Sequence, residues 1–217
     1  MPSTLNYSAI MAVKNGENYM HEALDSIMAQ SMQALEIIVI DDHSTDLTKK
    51  IILQDYPEVS LVDNLGEGQL SAMNLGISLA KGDVLAFLDH DDFWIREKQE
   101  IQIKFLDHNQ TLEAVTSGVC NFSEDGEYRD AGPARVFGAT SFQKNVFSRY
   151  GNLDESVFHH GVIEWWLRAE RQGINFGTIS EVGLMRRIHD TNSGNIHRSA
   201  SRTDLFSILR NQAAHNV

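Results

Sequence analysis

Gly82-Asp83-Val84-Leu85-Ala86-Phe87-Leu88-Asp89-His90-Asp91-Asp92-Phe93-Trp94 is a short, wholly apolar strand running into three aspartates within four residues. An uninterrupted apolar run of this length predicts a strand covered on both faces, as in a parallel sheet. Carboxylates crowded at its carboxyl end repel one another unless positive charge sits among them, and a hard divalent cation meets that need. Ligands of open α/β sheets bind beyond the carboxyl ends of the strands. The same residues, taken alone, also describe a solvated acidic turn ahead of a helix beginning near Ile95. The rest of the chain decides between the two.

Upstream, strands and helices alternate. Ser8 to Val13 reads as a first strand, closed by Lys14-Asn15-Gly16-Glu17-Asn18. Met20, Leu24, Ile27 and Met28 share one face of a helix. Leu35 to Ile40 is a β-branched strand ending at Asp41-Asp42-His43-Ser44-Thr45-Asp46, and the helix after it stops before Pro57. Val59 to Asp63 is a third strand, Asn64 to Gly68 a loop, and Leu70 to Ala80 a helix leading to Val84–Leu88. This order predicts right-handed βαβ units on a parallel sheet, with Asn15/Glu17, Asp41/Asp42 and Asp89/Asp91 converging on one edge.

Downstream the regularity breaks. A helix is expected over Ile95 to Asn109 and a strand over Leu112 to Cys120, followed by a turn-rich segment from Ser123 to Pro133, whose Asp125-Gly126 suits a hairpin or a flexible loop. Helices are expected over Ser141 to Tyr150, Val162 to Gln172 and Ser201 to Ala213, with two strands, Asn175 to Ile179 and Val182 to Ile188, before the last. No repeat, low-complexity tract or linker divides the 217 residues, so one domain is expected. Residues 1–110 would form one half and residues 111–217 the other, with its C-terminal helix.

A 42% hydrophobic content with three prolines predicts a packed core. The formal charge of −12 argues against nucleic acid or anionic lipid as a partner for the whole surface. The single cysteine, Cys120, allows no internal disulfide and fits a reducing, cytoplasmic setting. No apolar run approaches the ~20 residues that cross a bilayer.

Four segments, in order, resemble family 2 glycosyltransferases of the GT-A fold. They are Ala12-Val13-Lys14-Asn15-Gly16-Glu17, Val39-Ile40-Asp41-Asp42-His43-Ser44-Thr45-Asp46, Gln69-Leu70-Ser71-Ala72-Met73-Asn74-Leu75-Gly76-Ile77, and Phe87-Leu88-Asp89-His90-Asp91-Asp92. Asp89-x-Asp91 is similar to the family's Asp-x-Asp motif. The resemblance implies an α/β fold with a mostly parallel, helix-flanked sheet and a smaller antiparallel acceptor-side region. It implies transfer from a nucleotide-diphosphate sugar, UDP- or dTDP-linked, to a saccharide or lipid-linked acceptor hydroxyl, with inversion and the help of Mn²⁺ or Mg²⁺.

By that resemblance Asp91 is a metal ligand, with Asp89 nearer the ribose and His90 between them in the donor site. Asp42 would accept from a ring N–H of the base, and Ala12, Val13, Asn15 and Glu17 would line the nucleotide pocket. Glu17 is equally readable as a helix-start carboxylate, and Asp46 as structural. His189, in Arg187-Ile188-His189-Asp190-Thr191-Asn192, resembles the family's late Arg-x-His-x-x-Asn pattern and would reach the metal or diphosphate, with Arg186 and Arg187 able to neutralise phosphate.

An inverting displacement also needs a base near the acceptor. The family presents Glu-Asp before a Trp-x-Leu-x-x-Arg helix, but here Gly161-Val162 occupies that place. Glu164 is the nearby carboxylate, Asp154 and Glu155 are alternatives, and the base can also be missing. Trp165 and Trp166 beside Glu164 offer a stacking surface for a sugar, with core packing the competing reading for at least one of them. Two rival functions follow: a degenerate protein that binds nucleotide sugar without turnover, and a nucleotidyltransferase. The second would want a basic, glycine-rich loop in place of Lys14-Asn15-Gly16-Glu17. Membrane association would be peripheral, at the inner face.

Overall fold

The computed structural model describes residues 5–123, 125–157 and 160–189. Strand β1 (Tyr7–Val13) is buried along its whole length, because both of its faces are covered. Helix α1 (Met20–Met28) follows it, then β2 (Glu36–Asp41), α2 (Thr48–Asp55), β3 (Ser60–Asp63), α3 (Gln69–Leu79) and β4 (Val84–Phe87). β1 pairs in parallel with β2 and β4, and β2 in parallel with β3. The expected βαβ half is therefore present, and its strand ends lie along one edge.

Alternation along β1 and β4 splits the core in two. Ala9, Met11 and Val13 with Val84 and Ala86 join Leu24, Ile27 and Ile52 on the face of α1 and α2. Ile10, Ala12, Leu85 and Phe87 face the other way, toward Leu70 and Ile77 of α3. At Gly76 a Cβ would lie 2.5 Å from Ile10 Cγ2, so α3 rides on β1 at a distance only glycine permits.

After β4 come β5 (Phe93–Trp94), α4 (Lys98–His108), β6 (Ala114–Ser123), β7 (Tyr128–Pro133), β8 (Thr140–Gln143), α5 (Asn145–Tyr150), α6 (Gly161–Arg171) and β9 (Phe176–Ile188). The nine strands form one sheet in the order β3-β2-β1-β4-β8-β6-β9-β5, with β7 paired to β6. β8 enters antiparallel between β4 and β6, and β9 lies parallel to β6.

Two expectations are corrected, and one is decided. Ser141 to Tyr150 is not one helix, since residues 140–143 form β8 and only 145–150 are helical. Of the hairpin and loop readings of Ser123 to Pro133, the hairpin holds, with β7 returning antiparallel to β6. The two late strands are one, β9, whose polar Ser180-Glu181 is absorbed by register shifts opposite Thr116, Gly118 and Val119. The expected helix from Ser201 to Ala213 lies outside the described residues. No helix among the described residues is long and apolar enough to cross a membrane.

Candidate active site

The loops after β1 and β2 are bolted together. Asn15 and His43 both adopt positive φ, 55° and 60°, which turns each chain sharply at its strand end. The Asn15 N–H donates to Ser44 Oγ at 2.9 Å, and its Oδ1 accepts from the Thr45 N–H at 2.8 Å. The Glu17 N–H donates to Asp46 Oδ2 at 3.1 Å, while Glu17 Oε2 accepts from the Leu47 N–H at 3.0 Å. Glu17 thus meets the start of α2 rather than of its own helix α1. Asp46 Oδ1 accepts from both the N–H and Oγ1 of Thr48. Burial opposes ionisation of Asp46, but these bonds outweigh it and hold its carboxyl below the ordinary 3.8. Asp46 is structural, as the sequence implies.

Asp42 is 4% exposed, and its N–H donates to the carbonyl of Val13 at 2.7 Å. Ala12 and Val13 are buried strand-end residues beside it. Asp42 Oδ1 accepts from Asn64 Nδ2 at 2.8 Å and from the Gly68 N–H at 3.0 Å. Its Oδ2 lies 3.8 Å from Lys14 Nζ. Oδ1 is thus committed to neutral donors of the protein, while Oδ2 faces the Lys14 ammonium.

Beyond β4, the Asp92 N–H donates back to the Asp89 carbonyl at 3.1 Å, turning Asp89 to Asp92 into a tight loop. Asp89 Oδ1 accepts from Gln69 Nε2 at 2.9 Å. Asp89 keeps a solvent-exposed edge, yet the surrounding protein wall desolvates it, and the charge of Asp91 adds to that effect. Its carboxyl is raised to about 6, with Arg186 pulling the other way. Asp92 is buried and pushed well above 3.8, first by desolvation and then by Asp89 and Asp91. Burial also lowers His90, and His189 adds to the lowering.

The end of β9 closes the site from the other half. His189 Nε2 lies 3.0 Å from Asp91 Oδ2. Neighbouring ligands of an octahedral ion, each bonded at ~2.1 Å, stand ~3 Å apart, so this pair fits one edge of such a shell. Of the two, the carboxylate oxygen is the one suited to Mn²⁺ or Mg²⁺. Among the described residues no group of three or more His, Cys, Asp or Glu is arranged to hold a metal ion, so a cation here would depend on ligands from outside the protein as well.

On the acceptor side, Gly161 opens α6 against Leu70, where an added Cβ would meet Leu70 Cδ1 at 2.2 Å. This contact brings α6 to the start of α3, next to Gln69 and Asp89. Glu164 is held by Arg168, with Oε1 accepting from Nε at 2.9 Å and Oε2 from Nη2 at 3.0 Å. Asp154 accepts from the N–H and Oγ of Ser156, and Glu155 from Asn74 Nδ2 at 2.8 Å. Trp165 and Trp166 are 0% and 2% exposed, packed among Phe137, Phe142 and Phe147. The expected sugar-stacking surface is therefore core.

Sequence reading missed Asn64, Gln69 and Tyr19. Asn64 carried the same signal as Asp42, a polar residue at a strand's carboxyl end. Gln69 and Tyr19 carried none, because only tertiary packing brings them to Asp89 and His189.

A sheet whose first half is parallel, with carboxylates at its strand ends and a mixed second half closing it, defines a GT-A fold. The chain belongs to glycosyl transferase family 2, whose profile matches residues 8–165. It is 34% identical over 141 residues to an uncharacterized glycosyltransferase of Rickettsia felis, covering 64% of this chain and 23% of that protein. It is 35% identical over 102 residues to the Escherichia coli UDP-Glc:alpha-D-GlcNAc-diphosphoundecaprenol beta-1,3-glucosyltransferase WfaP, covering 46% of this chain and 41% of WfaP. The matches thus span less than half the length of these relatives. The structure of Staphylococcus aureus TarS 1-349 superposes with a TM-score of 0.74 at 16% identity, over 95% of this chain and 64% of that one. The same TarS fragment in complex with UDP superposes with a TM-score of 0.73.

Proposed function

We propose that the chain transfers a sugar from a UDP- or dTDP-linked donor to an acceptor hydroxyl, with inversion, assisted by Mn²⁺ or Mg²⁺. The observation that carries this reading is the convergence of Asp42, Asp89, Asp91 and His189 on one sheet edge, with Asp91 and His189 spaced as adjacent metal ligands. TarS complexes with UDP and UDP-GlcNAc, and the UDP-Glc in the name of WfaP, support a uracil nucleotide.

The bonding of Asp42 supports the same base. Uracil and thymine offer one N3–H, which the remaining Oδ2 can accept, while Lys14 can donate to a flanking carbonyl. Guanine offers two adjacent donors, and Oδ1 already accepts two bonds. Adenine and cytosine would set a ring lone pair against the carboxylate.

Asp89 would face the ribose, with His90 packed behind it. Asp91 and His189 would hold the cation, which when bound offsets charge on the diphosphate. The acceptor hydroxyl loses its proton to a carboxylate base, and its oxygen attacks the anomeric carbon opposite the leaving diphosphate. The bond from that carbon to the diphosphate oxygen breaks, and the electron pair leaves with the phosphate. Exposed Arg186, whose charge is felt by Asp89 and Asp92, is placed to meet that phosphate. Arg187 is committed to protein contacts instead.

Glu164 is the base of this reading, and acting as one requires it to release an oxygen from Arg168. That clamp favours a second reading, nucleotide-sugar binding without turnover. A lipid-linked acceptor, as in the name of WfaP, would place the protein in the cytoplasm at the inner membrane face.

Thermal shift with UDP, dTDP, GDP, CDP and ADP, each with MnCl₂ or EDTA, tests the donor half, since a ligand of the folded state raises its stability. UDP and dTDP should raise the midpoint most, and more with Mn²⁺. Equal shifts for all five would refute the base assignment. Release of UDP from UDP-sugars separates turnover from binding alone.

A further inference from the structure

Two arginines stand side by side near the end of β9, and the structure separates their roles. Arg186 is exposed, whereas the Arg187 side chain is only 11% exposed. The Arg187 N–H donates to Asp92 Oδ1 at 2.8 Å, and its Nε donates to the carbonyl oxygen of Asp91 at 3.1 Å. Its Nη2 pairs with the Glu22 carboxylate on α1. The guanidinium lies over two rings, 4.8 Å from the Tyr19 centroid and 4.5 Å from that of Phe122. Tyr19 in turn packs on His189, ring centroids 5.2 Å apart.

These contacts bracket Asp91. Its carbonyl is held by Arg187, its neighbour Asp92 is tied to the Arg187 backbone, and its carboxylate meets His189, two residues on from Arg187 and just past the end of β9. We infer that Arg187 is a positioning residue, which fixes Asp91 and His189 at their mutual spacing by clamping the aspartate loop, α1 and β9 together. The geometry asks for arginine specifically. One planar group must donate to the Asp91 carbonyl and to Glu22 while packing over two aromatic rings, and a lysine ammonium can do only part of that. The inference rests on the proposal that Asp91 and His189 hold a divalent cation. Residues that orient metal ligands typically control metal affinity by roughly 10–100-fold.

The test is calorimetric titration with UDP in MnCl₂ and in EDTA, plus Mn²⁺ alone read by electron paramagnetic resonance. In the parent protein Mn²⁺ should tighten UDP binding. Arg187→Lys, which keeps the charge, should lower Mn²⁺ affinity by roughly tenfold or more while UDP affinity in EDTA stays within about twofold. Glu22→Gln and Tyr19→Leu, which loosen the clamp from outside and keep Arg187, should each weaken Mn²⁺ in the same direction by a smaller factor, and they serve if Arg187→Lys fails to fold. Unchanged Mn²⁺ affinity in a folded Arg187→Lys, or in both outer variants, overturns the inference while leaving the metal reading intact. A parent whose UDP binding ignores Mn²⁺ overturns both.

Discussion

The two halves of the sheet hold their functional side chains in different ways. In the first half, Asp42 is fixed by Asn64 and Gly68, no more than 26 residues along the chain. Asn15 and Glu17 are fixed by partners 30 residues away. In the second half, Asp91 meets His189 across 98 residues, and Arg187 meets Glu22 across 165. The side proposed to read the base is therefore assembled locally from successive βαβ units. The Asp91–His189 pair proposed to hold a cation instead joins residues from distant parts of the chain.

The sharpest way to break this contrast is at Glu164. Glu164→Gln keeps the shape and removes the basicity, so kcat should fall by ~10²–10⁴-fold with UDP affinity unchanged, as read by UDP release and calorimetry. Near-parental turnover would move the base to Asp154 or Glu155. Next in size is Trp165→Ala, which empties the second half's aromatic core and should cost ~3–5 kcal/mol in urea unfolding. If the halves are one cooperative unit, β1 amides should lose hydrogen-exchange protection together with those of β6.

Smaller effects probe the first half. Asp42→Asn turns the ligand-facing oxygen into a donor, and the preference for UDP over CDP should drop by ~1–3 kcal/mol in paired titrations. An unchanged preference would mean that Asp42 does not read the base. Smallest is Asp46→Ala, which removes the bonds at the start of α2 and should cost ~1 kcal/mol at neutral pH. Because folding lowers the Asp46 carboxyl below 3.8, its contribution is present above that pH and lost as pH falls through the folded value. Parent and variant denaturation midpoints should thus converge in acid.

The same contrast explains what the sequence disclosed. β1 to β4 were legible because their burial is set by local runs such as Ile37-Ile38-Val39-Ile40 and by polar residues at each strand end. The position of Asp42, Asp89 and Asp91 just past strand ends was legible for the same reason. β8 was not, because Ser141, Phe142, Val146 and Phe147 share a helical spacing, and only pairing with β4 and β6 makes residues 140–143 extended. β9 read as two strands because Ser180-Glu181 interrupts the apolar pattern. Gly118 lets β6 approach there, since a Cβ on it would sit 3.1 Å from the Ser180 and Glu181 carbonyl oxygens. The Glu164–Arg168 clamp has helical i,i+4 spacing and was visible in principle, but spacing alone does not say whether a carboxylate serves the helix or the substrate.

β9 also bears on how the chain is made. β6 leaves the ribosome well before Phe176–Ile188, and translation at roughly 5–20 residues per second puts several seconds between them. During that interval the side of β6 later covered by β9 presents unpaired backbone donors and acceptors, from Ala114 to Ser123. A nascent or prematurely terminated chain would carry a formed nucleotide half and a sticky open edge. Quality control should therefore act most strongly on products that stop between Ser123 and Phe176.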